Sequence, residues 1–539
     1  MTMSSLAAEM REPQSRPRPR LTAEGLLRRR AEQSPEALAL ADPLNRDRLG
    51  VGRSMRYREA DLAIDALASV FTERGLKPGE LIGIQLPNLI EQPLTMLAAW
   101  RAGLTVCALP MLWRRMEIAK VVSELKPCAL LGIGDHADEN PLQGLCGIAA
   151  DEASVRCVLG FGTDLPDGVT PLDAALLAPR DPRGRLPSAV AGAIERPTLI
   201  TFTARVGEPL LPVFRGEQDL LAQGAMTVLA LSLDHGDTIL NPYPLTGPAG
   251  LALGLMPWLI SGGALLQHQP FDRSGFARQL LEGGATVTAL PSAMLVALKR
   301  DGVLDHPQCK LRRLGRVWPV AELASAQPGE EDWAQFDLYP MGDLVSLVRL
   351  RDARTDPTLL PRGKIQVRAE NGEGALLLET MLGGDCTAGQ ATDVKLRGPV
   401  CPRGSAGGPL APDGQGFIGS GLHGQGAGQT EHLLKIGRDT ELLSHGGFTI
   451  AAAELDEIYR SFSGFQDAAC FARPDPILGD RLFAAVVPKH GRLISIEALH
   501  RYLHHHGVAP YKFPDRIVTV EAIPRDADGS VRRDALARD

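Results

Sequence analysis

The stretch 63–86, AIDALASVFTERGLKPGELIGIQL, holds one full unit of the pattern that decides the fold. Ala63, Ile64, Leu67, Ala68 and Phe71 recur at three- and four-residue spacing, which predicts a helix over Ala63–Arg74. Gly75 stands where a left-handed C-cap belongs, Lys77-Pro78-Gly79 turns the chain, and Leu81–Leu86 reads as a buried strand. The next unit follows at once. Gln92–Ala102 is helical, Gly103 caps it and Leu104–Leu109 is apolar; Met116–Leu125 and Ala129–Ile133 then repeat the theme. Apolar strands alternating with helices predict a parallel sheet covered by helices on both faces.

The same alternation returns between Gln218 and Leu290. Helices are expected at Gln218–Leu229, Ala249–Leu259 and Arg273–Glu282, with strands near Thr238–Leu240 and Gly263–His268, so a second sheet layer or subdomain is expected. Eleven glycines lie between Gly398 and Gly428, a density that favours loops over packed elements. Beyond Lys435 the pattern changes to a compact α+β unit of about a hundred residues. It has helices at Ala452–Ser461 and Ile496–His505 and strands at Asp467–Phe471 and Leu482–Val487. The fold class is therefore α/β, with a large N-terminal domain of helix-covered sheets and a small C-terminal α+β domain.

Composition narrows the function. The 539 residues carry 57 Lys+Arg against 64 Asp+Glu, a formal charge of −7, which argues against a nucleic-acid footprint. With 44% apolar and 22% charged residues the chain has ample core, and disorder, collagen and coiled coil are excluded. Its longest apolar runs, Leu251–Ile260 and Leu482–Val487, fall short of the roughly 20 residues a membrane span needs. Eight scattered cysteines (107, 128, 146, 157, 309, 386, 401, 470) form no CxxC pair, so neither a zinc ribbon nor a disulfide framework is indicated and a cytoplasmic setting is expected. Residues 1–20, with Pro13, Pro17, Pro19 and several arginines, read as a mobile tail. Glu9, Glu12 and the prolines argue against an amphipathic presequence there.

Toward the C-terminus six short motifs follow in order: Ile436-Gly437-Arg438-Asp439-Thr440-Glu441-Leu442, His445-Gly446-Gly447-Phe448-Thr449-Ile450, Ala453-Glu454-Leu455-Asp456-Glu457, Pro474-Asp475-Pro476 with Gly479-Asp480, Tyr511-Lys512-Phe513-Pro514, and Ile523-Pro524-Arg525. In content and spacing the chain from about Leu21 to Ala537 resembles the AMP-forming acyl-CoA synthetases of the adenylate-forming (ANL) superfamily, which also holds luciferases and peptide-synthetase adenylation domains. The resemblance implies an AMP-binding-like domain over 21–438, a hinge at Gly437–Thr440 and a mobile C-terminal domain over 439–539. It also implies ATP and Mg²⁺ as cofactors and coenzyme A as the thiol. A carboxylate displaces pyrophosphate to give an acyl-adenylate, and the thiol then displaces AMP. Charge builds on phosphate oxygens in the first step, so the family's motifs supply backbone N–H groups, hydroxyls, a lysine and Mg²⁺ there.

Those motifs are degraded in this chain. The phosphate loop, Thr-Ser-Gly-Thr-Thr-Gly-x-Pro-Lys-Gly in the family, corresponds to Phe202-Thr203-Ala204-Arg205-Val206-Gly207-Glu208-Pro209-Leu210-Leu211, where Thr203 keeps a hydroxyl, Gly207 persists and Leu210 replaces the lysine. Arg205 reads as a solvated arginine rather than a replacement cation. The adenine loop becomes Arg316-Val317-Trp318-Pro319, whose indole either occupies the base pocket or points into the core. Tyr339-Pro340-Met341-Gly342-Asp343 matches Tyr-Gly-x-Thr-Glu. Gly342 has no group for the α-phosphate, and Asp343, the doubtful Mg²⁺ ligand, is one methylene short of the family's glutamate. Leu422 stands for the ribose-binding aspartate and Ser530 for the catalytic lysine, while Arg438 matches the family's second ribose and phosphate contact or reads equally as a domain-interface arginine, and Gly446-Gly447 matches the turn that lines the pantetheine tunnel. Arg532 and Arg533 read as a solvated basic tail.

One preorganised donor lost typically costs about 10²–10³ in rate. Losses at five motifs together point to a non-adenylating pseudoenzyme on an intact fold, whether enzymatic at all being uncertain. Such a chain would bind an acyl or acyl-CoA molecule, an acyl-adenylate made elsewhere, or assemble with a catalytically intact homologue or other protein partner. The alternatives are an active acyl-CoA ligase with relocated ATP contacts and an enzyme of altered chemistry on the acyl and pantetheine channel. His500 and His504, at i, i+4 spacing beside His505 and His506, read as a polar helix end rather than a metal site, and His268 as a surface histidine. Gly247, after Pro244-Leu245-Thr246, leaves the acyl pocket open and its substrate unspecified.

Overall fold

A computed structural model of the chain describes residues 21–538, except 45, 47–52, 135, 137–138, 178–196, 326–332, 353–355, 369–373, 384–390, 403–409, 428–429, 438–439, 476–477 and 490–493. The segment 1–20 and the residues Arg438 and Asp439 of the expected hinge lie outside the described residues.

Two large sheets carry the N-terminal part. One has seven strands in the order Thr170–Pro171, Cys157–Phe161, Ala129–Ile133, Leu81–Ile84, Thr105–Ala108, Leu199–Arg205 and Glu208–Arg215, parallel except for the last pair. The other has eight, running from Val345–Leu350 through Phe336–Met341, Arg313–Val317, Val287–Leu290, Thr238–Asn241, Ala264–Gln267 and Leu38–Ala41 to Ser54–Arg56. Its centre is parallel and both edge pairs are antiparallel. One apolar cluster joins the sheets, with Ile82, Val106 and Leu131 from the first, Leu40, Ile239 and Leu265 from the second, and the helices Tyr57–Glu73 and Glu91–Arg101 among them. The expected helix-and-strand units fall in place within a few residues. Gly75 and Gly103 end their helices with φ of +76° and +75°.

Helix Glu91–Arg101 is buried along its whole length, so its charged ends need partners. Asp42 accepts from the amide of Ile90 at 2.8 Å, and the fully enclosed Arg101 guanidinium meets Glu24, Asp61 and Asp65 at 2.7–3.0 Å.

The glycine-rich stretch departs from expectation in its last part, while its described residues before Ile418 form turns and loops as expected. Residues Ile418–Ala427 form a ten-residue strand of a six-stranded antiparallel sheet, not a loop. The physical reason is close approach: a Cβ on Gly421 would stand 2.9 Å from Cζ of Arg205.

The C-terminal unit is a five-stranded sheet. The hairpin Leu442–His445/Phe448–Ala451 pairs through Gly479–Pro488 with Phe465–Asp475, and Arg516–Thr519 lies parallel to Gly479–Pro488. Helices Ala452–Arg460 and Ile496–His505 complete it. Arg533, read from sequence as solvated, is 5% exposed and bridges Asp456 and Glu441, which pins the short helix Arg533–Arg538 to the sheet. Among the described residues no helix is long and apolar enough to cross a membrane, and no group of three or more His, Cys, Asp or Glu is placed to hold a metal ion. His268 is also corrected: it is 1% exposed, with Gln279 at 2.9 Å and the amide of Asp272 donating to it at 3.2 Å.

Candidate active site

Three chain segments far apart in sequence meet at one point. The stretch matched to the phosphate loop folds as two antiparallel strands, Leu199–Arg205 and Glu208–Arg215, closed by the two-residue turn Val206-Gly207 with Gly207 at φ +80°. Thr203 pairs with Leu211 and Arg205 with Glu208. In a strand successive amides point to opposite sides, whereas an anion cradle needs neighbouring amides to converge. Leu210 lies on the returning strand, packed against the apolar cluster that faces the C-terminal unit.

The second segment is the turn Met341–Leu344. Gly342 and Asp343 both adopt left-handed backbone, φ +60° and +58°, and the guanidinium of Arg215 donates to the carbonyls of Asp343 and Leu344, each at 2.8 Å. A side chain at 342 has no room, because a Cβ there would stand 1.7 Å from the carbonyl oxygen of Ser420. The third segment is the strand around Gly419–Leu422. Leu422 is 6% exposed and belongs to the core, and its amide donates to Oγ of Ser420. Asp393, which the sequence reading passed over, accepts from the amide of Gly421 at 3.2 Å.

Arg205 fills the meeting point, contrary to its reading as solvated. Its Nη1 donates to Oγ1 of Thr203 at 3.0 Å and to the carbonyl of Ala204 at 2.8 Å, and its Nη2 to the carbonyls of Ser420 at 2.8 Å and Gly419 at 3.4 Å. Beside it, Asp343 accepts from Thr203 at 3.1 Å, and Thr449 of the C-terminal unit lies near the same carboxylate. Burial pushes the Asp343 carboxyl above its ordinary value, while Thr449, Arg205 and Thr203 oppose that shift. Nothing in sequence spacing foretold Thr449, Arg215 or Asp393, since their roles come from where separate strands end.

The base side is closed as well. Trp318, for which the sequence left two placements open, points into the core at 2% exposure and donates from Nε1 to Asp337 at 2.8 Å. Its ring lies at 10° to Tyr339 with centroids 6.3 Å apart, and Arg316 sits 3.6 Å over it. Tyr339 is 1% exposed and its hydroxyl donates to the carbonyl of Pro357 at 2.7 Å. Ser530 lies on an exposed turn, bonded through both its amide and its hydroxyl to Asp528. Arg438 is outside the described residues.

As placed, these groups do not fit a nucleotide with Mg²⁺. The phosphate hairpin lacks a converging set of amides, the Asp343 carboxylate is engaged by the Thr203 hydroxyl, and a guanidinium occupies the space between the three segments. The turn at Gly446-Gly447 differs. Gly446 and Gly447 form an exposed two-residue turn with φ of +59° and +84°, and a Cβ on either would meet nothing within 4 Å.

Comparison with known proteins agrees with the fold. The AMP-binding enzyme family matches residues 27–206 and the AMP-binding enzyme C-terminal domain matches residues 454–530. A 2-hydroxy-7-methoxy-5-methyl-1-naphthoate–CoA ligase of Streptomyces carzinostaticus is 26% identical over 541 residues, covering 94% of this chain and 91% of that protein. An oxalate–CoA ligase of Arabidopsis thaliana is 24% identical, covering 96% of this chain and 98% of that protein. In fold, the chain superposes on the amide bond synthetase McbA of Marinactinospora thermotolerans with a TM-score of 0.76 at 17% identity, covering 96% of this chain and 99% of that one.

Proposed function

From the premise that the chain belongs to the adenylate-forming superfamily, an AMP-forming ligase homologue by both of its family matches, we propose that it does not adenylate. It acts instead as a binding or assembly subunit, holding an acyl or acyl-CoA molecule on the thiol side or pairing with an intact homologue. The observation that carries this reading is the seat of Arg205 among Thr203, Ala204, Gly419 and Ser420, where phosphate loop, magnesium turn and ribose strand converge. Leu210, Gly342, Leu422 and Ser530 supply no phosphate, ribose or transition-state contact in place of the lost groups. ATP and Mg²⁺ are therefore unused, and the open turn at Gly446-Gly447 faces coenzyme A or a pantetheine arm. Among the sequence-matched residues, Thr203, Gly207, Tyr339 and Asp343 serve structure rather than nucleotide.

The test is a calorimetric titration of the full chain with ATP and Mg²⁺, beside carboxylate-dependent ATP–pyrophosphate exchange over short, long-chain and aromatic acids. No binding heat and no exchange above a blank are expected. Exchange with any one acid establishes the second reading, an active acyl-CoA ligase with relocated ATP contacts, which the names of the relatives favour. A further titration with coenzyme A alone distinguishes a thiol-side binder from a purely assembling subunit.

A further inference from the structure

The two sheets of the large domain are tied together beyond their strand ends by a small set of hydrogen bonds that begins at one histidine. His268, just past the strand Ala264–Gln267, is 1% exposed and sits edge-on to Phe271 at 5.4 Å and to Phe276 at 5.2 Å. Its Nδ1 lies 2.9 Å from Oε1 of Gln279, and its Nε2 accepts from the amide of Asp272 at 3.2 Å. The Gln279 amide group cannot be turned round, because its Nε2 donates to the carbonyl of Gln267 at 2.9 Å and to that of Asp42 at 3.4 Å. Nδ1 of His268 therefore carries the proton, and Nε2 is bare. The next residue carries the contact onward. Oε1 of Gln269 accepts from the amide of Asn88 at 2.6 Å, and the Asn88 side chain donates to the carbonyl of Tyr243 at 2.6 Å and accepts from the amide of Leu245 at 3.3 Å. Asn88 follows the strand Leu81–Ile84 of the first sheet, so one imidazole heads a chain of bonds that crosses between the sheets and returns to the loop 242–247.

We propose that His268 is a pH-sensitive pin: neutral, it holds the turn 268–272 and, through Gln269 and Asn88, the loop 242–247; protonated, it releases both. A proton added at Nε2 aims one N–H at the N–H of Asp272, donor against donor. The ring has no room to rotate on the side of Phe276, which is buried, whereas Phe271 is 45% exposed, so the turn gives on that side. The Asp272 carboxylate is already held by the amide of Gly275 and the hydroxyl of Ser274 at the start of helix Arg273–Glu282. Asp42 faces the cluster from the end of the strand Leu38–Ala41, with its carboxylate turned to Arg46 and to the amide of Ile90 and with Glu91 beyond. Burial holds the imidazole below the ordinary histidine value, against the bonds to Gln279 and Asp272. A base lowered in the closed form favours that form at high pH and withdraws the preference as pH falls. Asp42, pushed up to about 7 by burial and then by Glu91, titrates nearby and is separated by the variant below. That the loop borders an acyl pocket rests on the family resemblance at Gly247; the pin does not, and its failure leaves the reading of the nucleotide site untouched.

Amide hydrogen exchange of the full chain, read at residue resolution at pH 7.5 and pH 5 and corrected for the intrinsic pH dependence, tests the pin. An opening that frees an imidazole to its ordinary value near 6.5 becomes up to about 30-fold more frequent over that range. The amides of Asp272, Asn88 and Leu245 should therefore lose about tenfold or more of their protection at pH 5, while the strand Leu81–Ile84 keeps its own. Equal protection of the three amides at both pH values overturns the proposal. His268→Gln takes up no proton and should abolish the loss; a loss that persists in this variant assigns the effect to Asp42 and overturns it too. Should the variant fail to fold, nitrogen-15 NMR of the unaltered protein's His268 ring decides. The Nδ1–H tautomer at pH 7.5 and a titration midpoint below 6.5 are expected, and the Nε2–H tautomer or a midpoint at or above 6.5 overturns the pin.

Discussion

Two hairpins face each other across the junction and differ at their tips. The hairpin Leu199–Arg205/Glu208–Arg215 has become an ordinary strand pair whose tip guanidinium is spent on neighbouring carbonyls. The hairpin Leu442–His445/Phe448–Ala451 keeps two left-handed glycines at its tip with open space around them. The first tip is closed by bonds within the protein, and the second is open around its left-handed turn.

That contrast can be broken most sharply at the glycines. Gly342→Ala places a Cβ against the Ser420 carbonyl in left-handed backbone and should lower stability by about 3 kcal/mol or more, whereas Gly446→Ala meets only the left-handed penalty of about 1 kcal/mol. Thermal unfolding of both variants measures it; equal losses would erase the distinction between the two tips. It follows that restoring the family's threonine at 342 cannot by itself rebuild the site.

Arg205→Ala should cost about 2 kcal/mol, because the carbonyls of Ala204 and Ser420 lose their donor, and should leave ATP–pyrophosphate exchange at the blank. Exchange appearing in this single variant would mean that the arginine alone closes the site and that the hairpin can still cradle phosphate.

A third experiment reads the frame behind the hairpin. Glu217, at the start of the helix Glu217–Leu231 that follows it, accepts from the amide of Ala23, and burial holds its carboxyl up at about 7. A carboxyl raised in the folded state contributes stability below its unfolded value and loses it as pH rises through the folded one. Stability should therefore decline between about pH 4.5 and pH 7 by about 3 kcal/mol, and Glu217→Gln should flatten that decline. Denaturant titrations at pH 5 and pH 8 give the comparison; a variant with the same slope as the parent would assign the decline elsewhere.

The smallest effect is expected at Ser530→Lys. Ser530 sits on an exposed turn bonded to Asp528, so the change should move stability by less than about 0.5 kcal/mol and confer no ATP binding. Binding gained there would show that the far turn reaches the site after all, and with it that the C-terminal unit moves.

Local pattern made the frame readable. The periodicity of Ala63–Phe71, the caps at Gly75 and Gly103 and the apolar strands determined an α/β scaffold with a separate small C-terminal unit, because these signals act over a few residues and the scaffold satisfies them all together. That Leu210, Gly342, Leu422 and Ser530 bring no ammonium or carboxylate to their positions was likewise legible, since that is a property of the residue itself. What filled the vacated chemistry was not. Whether Arg205 meets water or four internal acceptors, whether Trp318 turns into a base pocket or onto Tyr339, and whether a glycine-rich run is loop or strand all depend on atoms more than a hundred residues away or on a neighbouring strand's backbone. Only the tertiary structure decided those outcomes. A charged or aromatic side chain takes its partners from the space that other segments leave, and the sequence around it carries no record of that space.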